Sequence, residues 1–169
     1  GFFRKPLTVC NHHEAKYTAA KLIYGQRFGD QELLEDGKQS LRDTLTLLRR
    51  EGMAEYGCLP WFWHWTQAFT CALELAEEPE VKQKLHELLD ELWSLRASYY
   101  LKGAWVGARS RGWPHDSPRD ANVLHDYVQF GDFSLPEEMP RTEYAGFLFH
   151  EAPEAARHLA QHRSEPAEV

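Results

Sequence analysis

The sequence predicts an all-α protein made of tandem antiparallel helical hairpins with an irregular, loop-rich C-terminal third. Three observations predict it. Apolar residues recur at spacings of three and four from about residue 11 to residue 102, the period of one helix face. Leu33, Leu41, Leu45 and Leu47 return 48 positions later as Val81, Leu89, Trp93 and Leu95, so the hairpin itself repeats. Beyond Lys102 the period breaks at Gly103, Gly107, Gly112 and Pro114. Hairpins of this length stack side by side into solenoids or close into toroids, each burying a face it could not bury alone.

The first helix starts on the cap Asn11, carries Ala15, Ala19, Leu22 and Ile23 on one side, and ends at Phe28-Gly29. The second runs from Asp30 to about Arg50, with Leu34, Gly37, Leu41, Leu45 and Leu48 on its stripe and Gly52 as its stop. The third covers Pro60 to Ala76, with Ala68, Cys71, Ala72 and Leu75 inward. Pro79 opens the fourth, whose stripe is Leu85, Leu88, Leu92, Leu95 and Tyr99. Residues 103 to 116 read as an ordered loop or a short hairpin around Ala104-Trp105-Val106. Ser117-Pro118-Arg119-Asp120 starts a fifth helix that reaches Phe130 before Gly131. A short turn of helix is expected near Arg141 to Phe147, and Pro153 opens a last amphipathic segment to about Arg163. Residues 1–163 then form a single helical domain, and residues 164–169 a frayed polar tail.

With 169 residues and 43% hydrophobic content the chain builds one core, and a net charge of -7 argues against a general nucleic-acid binder. No apolar run is long enough to span a membrane, and no secretory leader is visible. The chain opens on Gly1 rather than Met, which reads as a piece excised from a longer protein. Cys10, Cys58 and Cys71 are odd in number and lack CxxC spacing, so they are expected to stay reduced. Cytoplasmic residence is the expectation that follows.

The candidate site centres on Glu55-Tyr56-Gly57-Cys58-Leu59-Pro60-Trp61-Phe62-Trp63-His64-Trp65, where a carboxylate, a histidine and five aromatic rings fall at a loop-to-helix junction. Rings at Trp61, Trp63 and Trp65 cannot share one helix face, so at least one is free to line a ligand; the alternative is that all serve as core. The first and third helices hold equivalent places in their hairpins. Asn11 and His12 should therefore lie on the same rim as Glu55, Tyr56 and His64, although Asn11 also has the chemistry of a plain cap.

A second group lies in the loop. Over residues 102 to 119, Lys102, Arg109, Arg111 and Arg119 face the single acid Asp116, with His115 beside it. Guanidinium forks suit a carboxylate such as that of a uronate sugar; solvated loop charges pairing with acidic helices are the plainer alternative. An elimination beside a carboxylate would use His64 or His125 as base with Tyr127, and Arg109 and Arg111 to hold the acid. A hydrolysis would need two carboxylates, Glu55 as acid with Asp116 or Asp126. His158 and His162 have metal-ligand spacing, but no Glu follows the first as in HExxH, and neither a metal nor another cofactor is expected.

The Glu55-Tyr56-Gly57-Cys58-Leu59-Pro60-Trp61 run, the Pro79-started helix and the Ala108-Arg109-Ser110-Arg111 loop together resemble a family of uncharacterised bacterial and fungal α/α-toroid proteins, over roughly residues 11 to 127. There the motifs read Glu-Tyr-Asn-Ser-Pro-Thr-Tyr and Pro-His-Ser-Arg, so Gly57-Cys58 stands in place of Asn-Ser and Leu59 precedes the proline. The resemblance implies a partial toroid, since such rings commonly hold about six hairpins. It also implies a fold shared with glycoside hydrolases, polysaccharide lyases and a terpenoid dehydratase-isomerase. The expected function is that of a carbohydrate-active segment, a hydrolase or lyase, acting on a saccharide. Glu55, His64, His125, Asp126 and Tyr127 would be catalytic. Asn11, His12, Tyr56, Trp61, Trp63, Arg109, Arg111, His115 and Asp116 would bind substrate. Two alternatives stand beside it: a non-catalytic helical-repeat module binding another protein or the rest of the parent chain, and a dehydratase-isomerase acting on an apolar small molecule.

Overall fold

The computed structural model describes residues 10–55, 59–107, 124–134 and 150–163. Its elements are α1 (His12–Phe28), α2 (Gln31–Glu51), α3 (Leu59–Leu75), α4 (Pro79–Ser98), β1 (Tyr100–Leu101), β2 (Ala104–Trp105), α5 (Leu124–Phe130) and α6 (Glu154–Gln161). Helix α1 packs on α2 and α3 on α4; across the repeat, α1 packs on α3 and α2 on α4.

Helices α1, α2 and α4 begin where the local chemistry directs. The Asn11 side chain accepts hydrogen bonds from the His13 and Glu14 amides at 3.0 and 3.1 Å, and Asp30 accepts from Leu33 at 3.0 Å. Pro79 opens α4 at a position where no amide is needed.

The two hairpins stack with equal polarity. At one end His12 of α1 stacks on Trp61 and His64 of α3. At the other, the Gln26 amide donates to the Leu75 carbonyl at 2.7 Å and accepts from the Glu77 amide at 2.8 Å. Outer helices follow suit, with Lys38 meeting Glu78 at 2.6 Å and Arg49 meeting Glu91 at 2.7 Å further along.

Within the first hairpin the backbones come very close. A Cβ on Gly25 would sit 2.6 Å from the Leu34 nitrogen, and one on Gly37 would sit 3.0 Å from the Leu22 nitrogen, so each glycine is a slot for the other helix. Beside that crossing the buried Lys21 ammonium donates to the Ser40 hydroxyl at 3.1 Å and reaches the Asp36 carboxylate at 3.1 Å.

The core lies between the two helix layers and around α4. Leu85, Leu88, Leu89 and Leu92 are fully enclosed, each contributing about 2 kcal/mol through removal from water. Helix α3 differs from its expected stripe. Phe62, Trp63, Trp65, Phe69, Ala72 and Leu73 are buried, while Ala68 and Cys71 are only half-buried and Leu75 is exposed. The large rings bury more area per residue and take the inward face, leaving the small side chains on the open side.

After α4 the chain makes the hairpin expected near Ala104. Tyr100 pairs with Trp105 and Leu101 with Ala104 across a two-residue turn, Lys102-Gly103, in which both residues have positive φ, as the tightest hairpins require. Helix α5 is described from Leu124 to Phe130; its expected start at Ser117, the helical turn near Arg141 and the tail after Arg163 lie outside the described residues. Helix α6 lies along α4, from the His150–Asp90 contact to the Arg163 guanidinium that donates to the Ala97 and Ser98 carbonyls at 2.9 and 2.7 Å. Among the described residues no helix is long and apolar enough to cross a membrane.

Candidate functional site

The site forms where α1 and α3 begin. Helix α2 stops at Gly52, whose φ of 72 lies in the left-handed region and whose amide closes onto the Leu48 carbonyl at 2.9 Å. The chain turns there, buries Met53, and delivers Glu55 beneath the first turn of α1. One Glu55 oxygen accepts from the His12 backbone amide at 2.7 Å, and the other lies 2.6 Å from His12 Nδ1. The Trp65 indole N–H donates to the first oxygen at 3.3 Å.

Glu55 is thus held by three donors, and its partner is His12 rather than His64. An ionised Glu55 fixes the proton of a neutral His12 on Nδ1, which leaves Nε2 as the basic nitrogen. Both side chains are largely covered, at 10% and 13% exposure, so water weakens the pair little.

A wall of rings surrounds it. His12 stacks on Trp61 with centroids 4.5 Å apart and planes 5° from parallel. His64 stacks on both, at 5.6 Å from His12 and 5.5 Å from Trp61. From His64 an open groove of about 440 Å³ runs between α1 and α3 past Lys16, Gln67, Ala20 and Ala68 to Tyr24 and Leu75. The half-buried small residues of α3 therefore line a groove instead of core.

The remaining expected site residues divide. Asn11 is at the mouth, but its side-chain oxygen is engaged as the α1 cap. Trp63, expected to bind substrate, is 1% exposed and belongs to the core against Phe62 and Trp93, because it projects from the α3 face opposite Trp61 and His64.

His125 lies behind that ring, stacked on Trp63 at 5.2 Å, and burial pushes its pKa down to about 4. It is a neutral, enclosed imidazole packed on a core tryptophan, a setting for a packing group rather than for the expected base. Asp126 has no exposed side-chain surface. Its carboxylate takes both prongs of Arg96, at 3.0 and 2.7 Å, so it has no path to a substrate as the second carboxylate of a hydrolysis. Tyr127 packs edge-on against Phe133 at 5.8 Å, and none of its described contacts reaches Glu55. Tyr56, Arg109, Arg111, His115 and Asp116 lie outside the described residues.

Sequence reasoning gave His12 a binding role and missed its bond to Glu55. It also passed over Arg96, although the signal was present: an arginine three residues after Trp93 on the buried stripe of α4 needs a buried acid. Its guanidinium packs over Tyr100, Trp105 and Trp63 at 5.1, 5.7 and 6.0 Å and donates to the Ala104 carbonyl. A third cluster joins α4 to the segment before α6. His150 Nδ1 lies 2.9 Å from His86 Nδ1, and its Nε2 lies 2.9 Å from Asp90. Since these are opposite sides of one ring, they do not converge on a metal point, and among the described residues no group of three or more His, Cys, Asp or Glu is placed to hold one.

The Cys10 thiol near Glu51 and Glu55 is pushed up to about 11, by burial first and then by the two carboxylates, so it is a protonated neighbour of the site and no nucleophile. Comparison with protein-family models, with curated proteins and with solved structures gives no match to this chain.

Proposed function

We propose that the chain carries the proton-transfer part of an elimination site of the lyase type, in which His12, oriented by Glu55, takes the proton on the carbon next to a carboxylate, the C–H electron pair forms the C=C bond as the C–O bond on the adjacent carbon breaks, and the leaving oxygen takes its proton from water. One observation carries this reading: the Glu55–His12 bond of 2.6 Å, braced by the His12 amide, Trp65 and the Trp61–His64 stack. A histidine aligned by a buried carboxylate is an effective base near neutrality. The same geometry disfavours Glu55 as the acid of a glycoside hydrolase, since both its oxygens already accept hydrogen bonds. The substrate in this reading is a saccharide bearing a uronate, lying against the Trp61–His64 ring wall, whose face suits the C–H side of a sugar.

A second reading is favoured by the groove. Ala20, Ala68, Tyr24 and Leu75 offer little to a polyhydroxylated ligand, and they suit a dehydratase-isomerase acting on an apolar small molecule.

The test is a substrate screen on the longest parent chain, with uronate polymers and apolar hydroxylated acids, recording absorbance of new C=C bonds beside reducing-sugar release. The expected result is unsaturated product, reduced about a hundredfold or more in His12→Gln and by a smaller factor in Glu55→Gln. Reducing ends released without unsaturation, or turnover unchanged in His12→Gln, would overturn the reading.

A further inference from the structure

We infer that the groove between α1 and α3 is the binding site of an amphiphilic carboxylic acid, its carboxylate at Lys16 and His64 and its hydrocarbon chain directed toward Tyr24 and Leu75. Three features of the groove select this ligand. The first is polarity: Lys16, His64 and Gln67 stand at the end nearest His12, and the far end is Tyr24 and Leu75. The second is charge. Lys21 and Lys38 are paired with carboxylates, whereas among the described residues Lys16 has no such partner and is the cation at the mouth of the groove.

Size is the third. From Lys16 to Tyr24 the helix rises about 12 Å, the length of an alkyl chain of about ten carbons. A volume of about 440 Å³ accepts such a chain with its head group. A packed helix of the same length, about 10 Å across, fills about twice that space. Ala20 lines the groove from α1 and Ala68 from α3, and their small size is what keeps the channel open.

The inference deepens the second reading, that of an apolar substrate, by naming the class of molecule the groove holds, and it rests on that reading only for placing the head group at His64, which stacks on His12. Its test measures binding without turnover, so either can fail alone. The probe is dansyl-labelled undecanoate, followed by fluorescence on binding to the whole chain and displaced by decanoate, decanol, decyltrimethylammonium or glucuronate.

Decanoate is expected to displace the probe at concentrations about fivefold below decanol, with no displacement by the cation or by glucuronate. Lys16→Met should erase the gap between acid and alcohol while leaving decanol unchanged. Ala68→Trp, and Ala20→Trp from the opposite wall, should each weaken the probe at least tenfold with the helical circular dichroism intact; two fillings guard against one that fails to fold.

The inference is overturned if filling leaves the probe untouched in a folded variant, or if decanol matches decanoate on the unaltered chain. It is equally overturned if the probe binds only after residues 1–9 are removed, which would make that segment the occupant. A dimer abolished by Ala68→Trp would assign the groove to a second copy and sink it too.

Discussion

Arg96 and Asp126, thirty residues apart, form a two-pronged ion pair in which neither side chain has any exposed surface. The pair ties α4 to α5, and its guanidinium packs over Trp63, the ring on which His125 also stacks. Removing one partner leaves a charge stranded in the core, so Arg96→Met and Asp126→Asn are each expected to cost about 3–5 kcal/mol in urea titrations. The double variant should cost much less than the two losses added together.

The backbone crossing at Gly25 offers a second prediction. A methyl group there would lie 2.6 Å from the Leu34 nitrogen, which only a separation of α1 from α2 can relieve. Gly25→Ala is expected to lower stability by about 2 kcal/mol despite the better helix propensity of alanine, whereas the gain expected at an open helical site is about 1 kcal/mol. Thermal unfolding distinguishes the two signs.

Acid should loosen the C-terminal part. Burial lowers the pKa of His125 to about 4, and burial likewise lowers His150, against which Asp90 and Glu151 act in the opposite sense. Both titrate near 6.5 in the unfolded chain, so the folded state binds fewer protons below that pH. For His125 the contribution is complete above about pH 6.5 and is lost as pH falls toward 4, the loss reaching about 3 kcal/mol, and His150 adds to it in the same direction. Urea titrations at about pH 7.5 and pH 4.5 measure the loss, and His125→Phe, which keeps the stack on Trp63, should flatten the pH dependence.

Cys10 supplies a kinetic prediction. With its thiol held at about 11, alkylation by iodoacetamide at about pH 8 should run about a hundredfold slower than for a free cysteine. In Glu55→Gln the rate should rise, since one of the carboxylates that disfavour the thiolate is gone. Peptide mapping reports Cys10 separately from Cys58 and Cys71.

How much of this was legible in the sequence follows from the range of each signal. Helix limits were readable because Asn11, Asp30, Gly52 and Pro79 act within one turn of their own position. The stacked hairpins were readable because Leu41 and Leu45 recur as Leu89 and Trp93, and all four are buried. The meeting of α1 and α3 at one mouth followed from that repeat. What did not follow was partner choice: whether Glu55 reaches His12 or His64 depends on a turn at residues 52–55, and sequence spacing carries no such distance. Burial direction on α3 departs from the spacing of its small residues and Leu75, Ala72 apart, because Phe62, Trp63, Trp65 and Phe69 bury more area and take the inward face.

Equal polarity of α1 and α3 has an electrostatic cost that antiparallel neighbours escape. Two peptide dipoles pointing the same way set like partial charges side by side, and the positive ends meet where His12 and Trp61 touch. Glu55 sits at that junction and answers both ends at once, so its negative charge helps to hold one repeat against the next. The carboxylate that aims the imidazole also cements the stack, and a change made there to disarm the chemistry will be felt as a weaker joint between hairpins, most of all at low ionic strength.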